Sequence, residues 1–108
     1  MNKYRNVRTP YSGAVYDSRG EAEYARRLDL LLAAGRIARW RRGTDWEILE
    51  RPNRIVYRPD FEVWRLDGTL EAHDFKGMET PVFKLKAKLF RARYPGVPLV
   101  VVRKEDVA

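Results

Sequence analysis

The sequence predicts an α/β domain built on a mixed sheet, in the order helix, three strands, helix, strand. Two capped amphipathic segments, at about 18–34 and 80–94, indicate the helices. Between them lie alternating apolar residues that flank a turn at 66–68, and an apolar run at 97–102 follows the second helix. A chain of 108 residues has room for one hydrophobic core.

The N-terminal segment is basic and aromatic but shows no clear period. We interpret residues 1–17 as an arm that is either mobile or docked on a partner, and residues 18–108 as the single domain. The arm contributes Lys3, Arg5 and Arg8 as candidate contacts to a polyanion.

The first helix is predicted to begin after Ser18, which is a good N-cap, and to end before Gly35. Its core-facing stripe contains Ala25, Leu28 and Leu32. Glu21 lies four residues before Ala25 and therefore shares the core-facing side, whereas Glu23 does not. Glu21 is thus the acid of this helix that can reach a site inside the domain.

Three strands are predicted between the helices. The first lies at 45–49, and a turn at 51–53 follows it. The other two, at about 55–64 and 69–76, should form a hairpin, because Gly68 occupies the place in a three-residue loop that needs a left-handed residue. One face of this hairpin carries Phe61, Val63 and Phe75 and is expected to pack against a helix.

The predicted register of the hairpin places two acids opposite each other. With 66–68 as the loop, Asp60 faces Asp74, and the Cβ atoms of such a pair are about 4.5–5.5 Å apart. Two carboxylates at that distance repel unless a cation lies between them. Lys76, two residues beyond Asp74, projects from the same face of the strand. The register therefore predicts a patch of two acids and one lysine.

The second helix is predicted to start with Thr80 as N-cap and Pro81 at the first helical position. Its apolar residues form two stripes, one of Phe83, Ala87, Phe90 and Tyr94 and the other of Val82, Leu85, Leu89 and Ala92. A helix with two apolar faces usually has two neighbours, so we expect the sheet on one side and a second subunit on the other. Lys84, Lys88 and Arg91 could follow DNA phosphates, although a solvated helix face explains them equally well.

The amino-acid composition limits the classes of partner that the protein is expected to bind. A net charge of +7 and a pI near 10.0 favour a polyanion, with nucleic acid as the leading candidate. The absence of cysteine excludes disulfides, thiolate nucleophiles and cysteine-based zinc sites. No apolar stretch approaches the length of a membrane span, and the N-terminus lacks the apolar core of a signal peptide. We expect a cytoplasmic protein that does not bind membranes, in the host cytoplasm if it is phage-encoded.

The motif residues resemble those of a known nuclease superfamily. The pattern Pro59-Asp60, followed fourteen residues later by Asp74-Phe75-Lys76 on an α-β-β-β-α-β framework, is similar to the PD-(D/E)XK nucleases. More narrowly, the chain resembles phage endonuclease I and related Holliday junction resolvases through Ser18-x-x-Glu21, Tyr57-x-Pro59-Asp60-Phe61, and Lys76-Gly77 before a basic helix.

The resemblance implies a Mg²⁺-dependent endonuclease that acts as a homodimer on branched, four-way DNA junctions, with Mn²⁺ able to replace Mg²⁺. Carboxylates and water are the ligands that Mg²⁺ prefers, so Asp60 and Asp74 are the expected metal ligands, together with the backbone carbonyl of Phe75. Lys76 is expected to orient or deprotonate the attacking water. Glu21 matches the acid on the first helix of the family and would bind the same metal or a second one.

Each assignment has a structural alternative. Glu21 could serve only the capping box of Ser18, and Asp60 could mark a kink in an edge strand. Lys76 could be a surface lysine paired with Asp74. Glu62 shares the site face with Asp60 and could also approach the metal.

Other functions stay open at this point. A nicking or DNA-repair nuclease of the same fold would carry the same residues, and a DNA-binding protein could have the fold without activity. The single histidine, His73, alternates away from the acids, so we interpret it as structural and packed near Phe61.

Overall fold

The computed structural model describes residues 7–103 and is a mixed α/β fold with two helices and several sheets. Its elements are β1 (Thr9–Tyr11), β2 (Ala14–Tyr16), α1 (Arg19–Ala33), β3 (Arg39–Arg42), β4 (Trp46–Leu49), β5 (Ile55–Tyr57), β6 (Phe61–Trp64), β7 (Leu70–Lys76), α2 (Pro81–Arg93) and β8 (Leu99–Arg103). Lys3 and Arg5, two of the predicted DNA contacts, lie outside the described residues. Arg8 lies within them and is exposed.

The central sheet has four strands in the order β3-β6-β7-β8. β7 and β8 are parallel and the other pairs are antiparallel, so the prediction of a mixed sheet is confirmed. α1 packs on one face of the sheet, against Phe61 and Val63, and α2 packs on the other, against Ala72 and Leu99. The central sheet therefore lies between the two helices. β1–β2 and β4–β5 form two separate antiparallel hairpins.

The predicted first helix is confirmed. Ser18 is the N-cap, its Oγ accepts a hydrogen bond from the backbone N–H of Glu21 at 3.1 Å, and Gly35 follows the helix with a φ of +70°. The expected burial of Leu32 is wrong, because that side chain is 40% exposed. After Leu28 the apolar stripe continues with Leu31, which is partly buried. Leu32 therefore lies on the outer side of the helix.

The predicted register of the hairpin is also confirmed. In the structure Glu62 pairs with Ala72 and Phe61 pairs with His73, one step from Asp60 and Asp74. The backbone N–H of Arg65 donates to the carbonyl of Thr69, and Gly68 has a φ of +89° in the loop. The glycine thus supplies the left-handed residue that the loop needs.

The prediction of one continuous strand over 55–64 is wrong. The segment is interrupted at 58–60, so that β5 pairs with β4 while β6 pairs with β7 and with β3. Pro59 stands in the interruption, where a residue without an N–H removes no ladder hydrogen bond. β3 itself was not expected, because Arg39–Arg42 is mostly charged and shows no apolar alternation.

The described part of the predicted N-terminal arm belongs to the folded domain. β1 and β2 form a hairpin against α1, with Tyr16 buried in the core and the hydroxyl of Tyr11 donating to Asp29 at 2.6 Å. The two tyrosines therefore anchor this segment on its own helix.

The second helix starts and ends as predicted, with Thr80 accepting from the N–H of Phe83 at 3.1 Å and Tyr94 as the C-cap. Phe83, Ala87 and Phe90 of the first stripe are buried and Tyr94 is partly buried, whereas Val82 and Leu85 of the second stripe are 63% and 56% exposed. The second subunit expected on this stripe stays a prediction. Neither helix within residues 7–103 is long and apolar enough to span a membrane.

Candidate active site

Asp60 lies in the interruption between β5 and β6, directly before the first residue of β6. Its Oδ2 accepts a hydrogen bond from the backbone N–H of Phe75 at 2.8 Å, and its backbone carbonyl accepts one from Gly43 at 3.0 Å. The carboxylate of Asp60 is therefore hydrogen-bonded to β7, and its backbone is hydrogen-bonded to the residue that follows β3. Because Asp60 stands outside the ladder, its side chain is not confined to one face of the sheet.

The contact with Gly43 is unusually close. A Cβ atom at this position would lie 1.6 Å from the carbonyl oxygen of Pro59, a backbone atom that cannot turn aside. Only glycine therefore allows the loop after β3 to approach the Asp60 segment. Sequence reasoning missed this residue, because a glycine after a charged strand looks like an ordinary turn.

Asp74 is the most deeply buried acid of the site, with 1% of its surface exposed. The hydroxyl of Tyr57 donates a short hydrogen bond to Oδ2. Oδ1 has no hydrogen-bond partner within the described part of the chain, although Nζ of Lys76 lies 3.5 Å away. A buried carboxylate oxygen without a hydrogen bond is costly unless another group binds it.

Lys76 is directed toward Asp74 by its surroundings. The lysine side chain is 28% exposed, and Nζ lies 4.5 Å from the centroid of the Phe83 ring. The ring belongs to the first turn of α2, so the helix holds the ammonium group over the end of β7. This partial burial distinguishes Lys76 from an ordinary surface lysine.

Glu21 reaches the site from the first turn of α1. The turn sits tightly on β7, because a Cβ atom on Gly20 would come within 2.1 Å of the Phe75 ring. Glu21 lies within hydrogen-bonding reach of Asp60, whereas Glu23 is exposed and pairs with Arg26 at 3.4 Å. The expectation that Glu21 and not Glu23 faces the interior is confirmed.

An open cleft of about 450 Å³ lies beside Glu21 and Asp60, whereas Asp74 and Lys76 do not line it. Its lining includes three acids, Asp17, Glu21 and Asp60, and two arginines, Arg42 and Arg58. The cleft therefore presents carboxylates and guanidinium groups to the same volume.

Comparison with known proteins gives a family but no reaction. A family model described as protein of unknown function (DUF1064) matches residues 1–106, almost the whole chain. The chain belongs to the DUF1064 family. No curated protein and no solved structure shows significant similarity to it.

The three carboxyl groups of this DUF1064 protein crowd one another. Burial raises the pKa of each, and for Asp74 the neighbouring Asp60 adds to the effect and brings the pKa to about 8. Lys76 acts in the opposite direction and lowers the pKa of Asp74. A cation bound beside these carboxyl groups would favour their charged forms against the effect of burial.

The donors fit a hard divalent cation. Mg²⁺ usually takes one or two carboxylates and completes its shell with water and substrate oxygens. Asp60 and Asp74 supply two carboxylates, and Oδ1 of Asp74 is an unused buried acceptor. Over residues 7–103 no three His, Cys, Asp or Glu side chains are grouped so that they could hold a metal ion, so a cation at Asp60 and Asp74 would need further oxygen ligands.

Two other polar residues have structural partners instead. Glu62 is fully buried and accepts hydrogen bonds from Arg41, Thr44 and Trp46, so it does not approach the site as the sequence allowed. Nδ1 of His73 lies 2.5 Å from the hydroxyl of Tyr24, and its ring is buried near Phe61 as predicted.

The predicted DNA contacts on α2 are exposed side chains. Lys84 and Lys88 point to solvent, and Arg91 donates to the carbonyl of Leu99 at 3.1 Å. None of the three lines the cleft. Their role in DNA binding stays a prediction.

Tyr57, which sequence reasoning treated only as part of a motif, is expected to position Asp74. In this DUF1064 protein, Tyr57→Phe should lower the free energy of unfolding by about 1–3 kcal/mol, because it leaves Oδ2 of Asp74 buried without a donor. It should also weaken Mg²⁺ binding, since the lost hydrogen bond stabilises the charged carboxylate. Urea unfolding and calorimetric titration with Mg²⁺ measure the two effects.

Tyr11→Phe is the matched control, because it removes a tyrosine–aspartate hydrogen bond away from the site. This variant should bind Mg²⁺ as the wild type does. Equal Mg²⁺ affinity in the Tyr57 and Tyr11 variants would contradict a positioning role for Tyr57.

The raised pKa of Asp74 predicts how stability varies with pH. The folded protein holds the Asp74 proton up to about pH 8, whereas the unfolded chain loses it near the ordinary value of 3.8. The free energy of unfolding of the metal-free protein should therefore fall as pH rises from about 4 to about 8. The lowered pKa of His73 has the opposite effect, but only below about pH 6.5, so a fall in stability between pH 6.5 and 8 does not come from His73.

Thermal unfolding in EDTA between pH 6.5 and 8.5 measures this effect. Each loss of about 1 kcal/mol lowers the Tm of a domain of this size by roughly 4–8 °C. Asp74→Asn should have a flatter Tm profile, and added Mg²⁺ should flatten that of the wild type. Parallel profiles for the wild type and Asp74→Asn would refute the prediction.

Proposed function

We propose that this protein is a Mg²⁺-dependent, structure-selective DNA endonuclease of the Holliday junction resolvase type. The observation that carries the proposal is the set of Asp60, Asp74 and Lys76 at one end of the hairpin, with Oδ1 of Asp74 buried, without a hydrogen bond and 3.5 Å from the lysine. A surface ion pair would not require a buried carboxylate with a raised pKa.

The order of elements supports the same proposal. When the β4–β5 hairpin is set aside, α1, β3, β6, β7, α2 and β8 have an α-β-β-β-α-β order, although β3 takes the place in the sheet that was predicted for the strand at 45–49. Asp74 and Lys76 then lie on β7, and Asp60 lies directly before β6. The order of the elements alone does not establish an activity, so the proposal depends mainly on the site residues.

Hydrolysis of a phosphodiester needs an activated water and a means of stabilising negative charge on the phosphate. A bound Mg²⁺ would supply both, by polarising the phosphate and lowering the pKa of water. Asp60 and Asp74 would hold the ion, with the carbonyl of Phe75 as a further candidate ligand. Lys76 orients the attacking water, and Glu21 accepts a hydrogen bond from the water or holds a second ion.

The proposed substrate is branched DNA. The net charge of +7 favours nucleic acid, and shape selectivity suits a domain of this kind, whose sequence shows no base-reading motif. A four-way junction has near two-fold symmetry, which a homodimer would match. The exposed Val82 and Leu85 on α2 are the proposed dimer contacts, and the cytoplasm is the proposed compartment.

The test compares a synthetic four-way junction with a linear duplex of matched sequence, in Mg²⁺, Mn²⁺ or EDTA. The expected result is paired nicks at the junction, only with a metal, and a dimer by analytical ultracentrifugation. Equal cutting of both substrates would indicate a general nicking or repair nuclease. Binding without cutting under every metal would reject the enzyme and favour a DNA-binding protein.

A further inference from the structure

We propose that Arg42 and Arg58 form the phosphate-binding wall of the cleft and hold the DNA strand against the carboxylates. This inference rests on the proposed function, because it names the residues that present the substrate to that site. Both guanidinium groups line the cleft of about 450 Å³ that also contains Glu21 and Asp60. Neither arginine belongs to the motif that suggested a nuclease.

Arg42 is held in place before any substrate binds. It ends β3 and pairs with Phe61, the residue after Asp60. Its Nη1 donates to the carbonyl of Val15 at 3.1 Å, and its guanidinium carbon lies 4.4 Å from the centroid of the Tyr16 ring. A guanidinium has five N–H donors in a fixed plane, so several remain for phosphate oxygens.

The charge of Arg42 acts directly on the site. Its guanidinium lines the same cleft as Glu21, and its positive charge lowers the pKa of that carboxyl against the larger effect of burial. An arginine in this position can bind the non-bridging oxygens of a phosphate whose other side faces the acids.

Arg58 lies in the interruption between β5 and β6 and adds a second guanidinium group to the phosphate-binding wall. Its Nε donates to Asp45 at 2.7 Å, and its side chain remains 65% exposed. The ion pair uses one edge of the guanidinium and leaves the terminal N–H groups available. Because Arg58 precedes Pro59-Asp60 directly, its backbone is tied to the position of the catalytic acid.

The charged residues that line the cleft thus suit the two parts of a metal–phosphodiester complex. Glu21 and Asp60 attract a cation, whereas Arg42 and Arg58 attract the anion that the cation must contact. The exposed basic residues of α2 do not line this volume. We infer that the phosphate next to the cleaved bond is held by β3 and the interrupted strand and not by α2.

The test measures affinity for a fluorescein-labelled four-way junction in EDTA over a range of salt concentrations. Arg42→Gln and Arg58→Gln should each weaken binding by roughly tenfold and reduce the salt slope by about one. Arg39→Gln is the matched control, because Arg39 lies on the same strand but stacks on Trp64 at 4.0 Å and does not line the cleft. It should bind with unchanged affinity.

Arg42→Lys keeps the positive charge and should therefore recover the salt slope of the wild type. Thermal unfolding of every variant shows whether a loss of binding reflects a folding defect. Unchanged affinity and slope in both glutamine variants, with a wild type that cuts the junction, would overturn this inference alone. The expected losses with a wild type that never cuts would support the phosphate wall but reject the enzyme. A wild type that does not bind the junction would overturn both.

Discussion

Asp74→Asn is expected to reduce Mg²⁺-dependent cleavage of a four-way junction by roughly 10²–10³-fold or more, and to leave junction binding within about twofold. The change removes the charge from the buried side chain whose Oδ1 is the unused acceptor of the site. A neutral amide oxygen cannot hold a divalent cation as a carboxylate does. Gel analysis of nicked junction and fluorescence anisotropy measure the two properties.

The fold should tolerate this substitution. Asparagine has the shape of aspartate, and its amide oxygen can still accept the hydrogen bond from Tyr57. Asp67→Asn is the control, because Asp67 caps the exposed turn at 66–68 and its oxygen accepts from the N–H of Thr69 at 2.9 Å. Cleavage by Asp74→Asn at the wild-type rate, or an equal loss of cleavage and binding, would refute the catalytic assignment.

Gly43→Ala is expected to be the most disruptive conservative change in the domain outside the core. The new Cβ would lie 1.6 Å from the carbonyl oxygen of Pro59, so the loop after β3 must move away from the Asp60 segment. The hydrogen bond from Gly43 to the carbonyl of Asp60 would be lost with it. We expect a loss of about 3 kcal/mol in the free energy of unfolding, at the upper end for overpacking, together with loss of cleavage.

Gly96→Ala is the matched control, because no atom lies within 4 Å of a Cβ built there and its φ is not in the left-handed region. Its unfolding free energy should stay within about 0.5 kcal/mol of the wild type. If Gly43→Ala unfolds at the same urea concentration as Gly96→Ala and cuts the junction as well, the close approach does not position Asp60.

Local signals in the sequence were sufficient for much of this architecture. Ser18 and Thr80 mark the starts of both helices, and Gly68 with the alternation around it determines the hairpin register. That register is enough to predict that Asp60 and Asp74 lie close together. Such predictions succeed because caps and tight turns depend on a few neighbouring residues.

The features that were not predicted from the sequence depend on contacts between residues far apart in the chain. β3 is a strand because Arg39–Arg42 pairs with β6, not because its residues alternate. The break at Pro59 follows from a change of partner between β5 and β6, which no local pattern records. Likewise, no local pattern around Tyr57 indicates that its hydroxyl donates a hydrogen bond to Asp74.

The interruption at Asp60 has a consequence for folding. Glu21 belongs to the α1 face of the sheet and Asp74 to the α2 face, and both lie near Asp60, which stands at the rim between the two faces. Contacts between segments so distant along the chain form late, after the costly closure of long loops. A chain in which α1 and α2 have not both docked on the sheet would therefore lack the site, and cleavage should return during refolding only as the native structure returns.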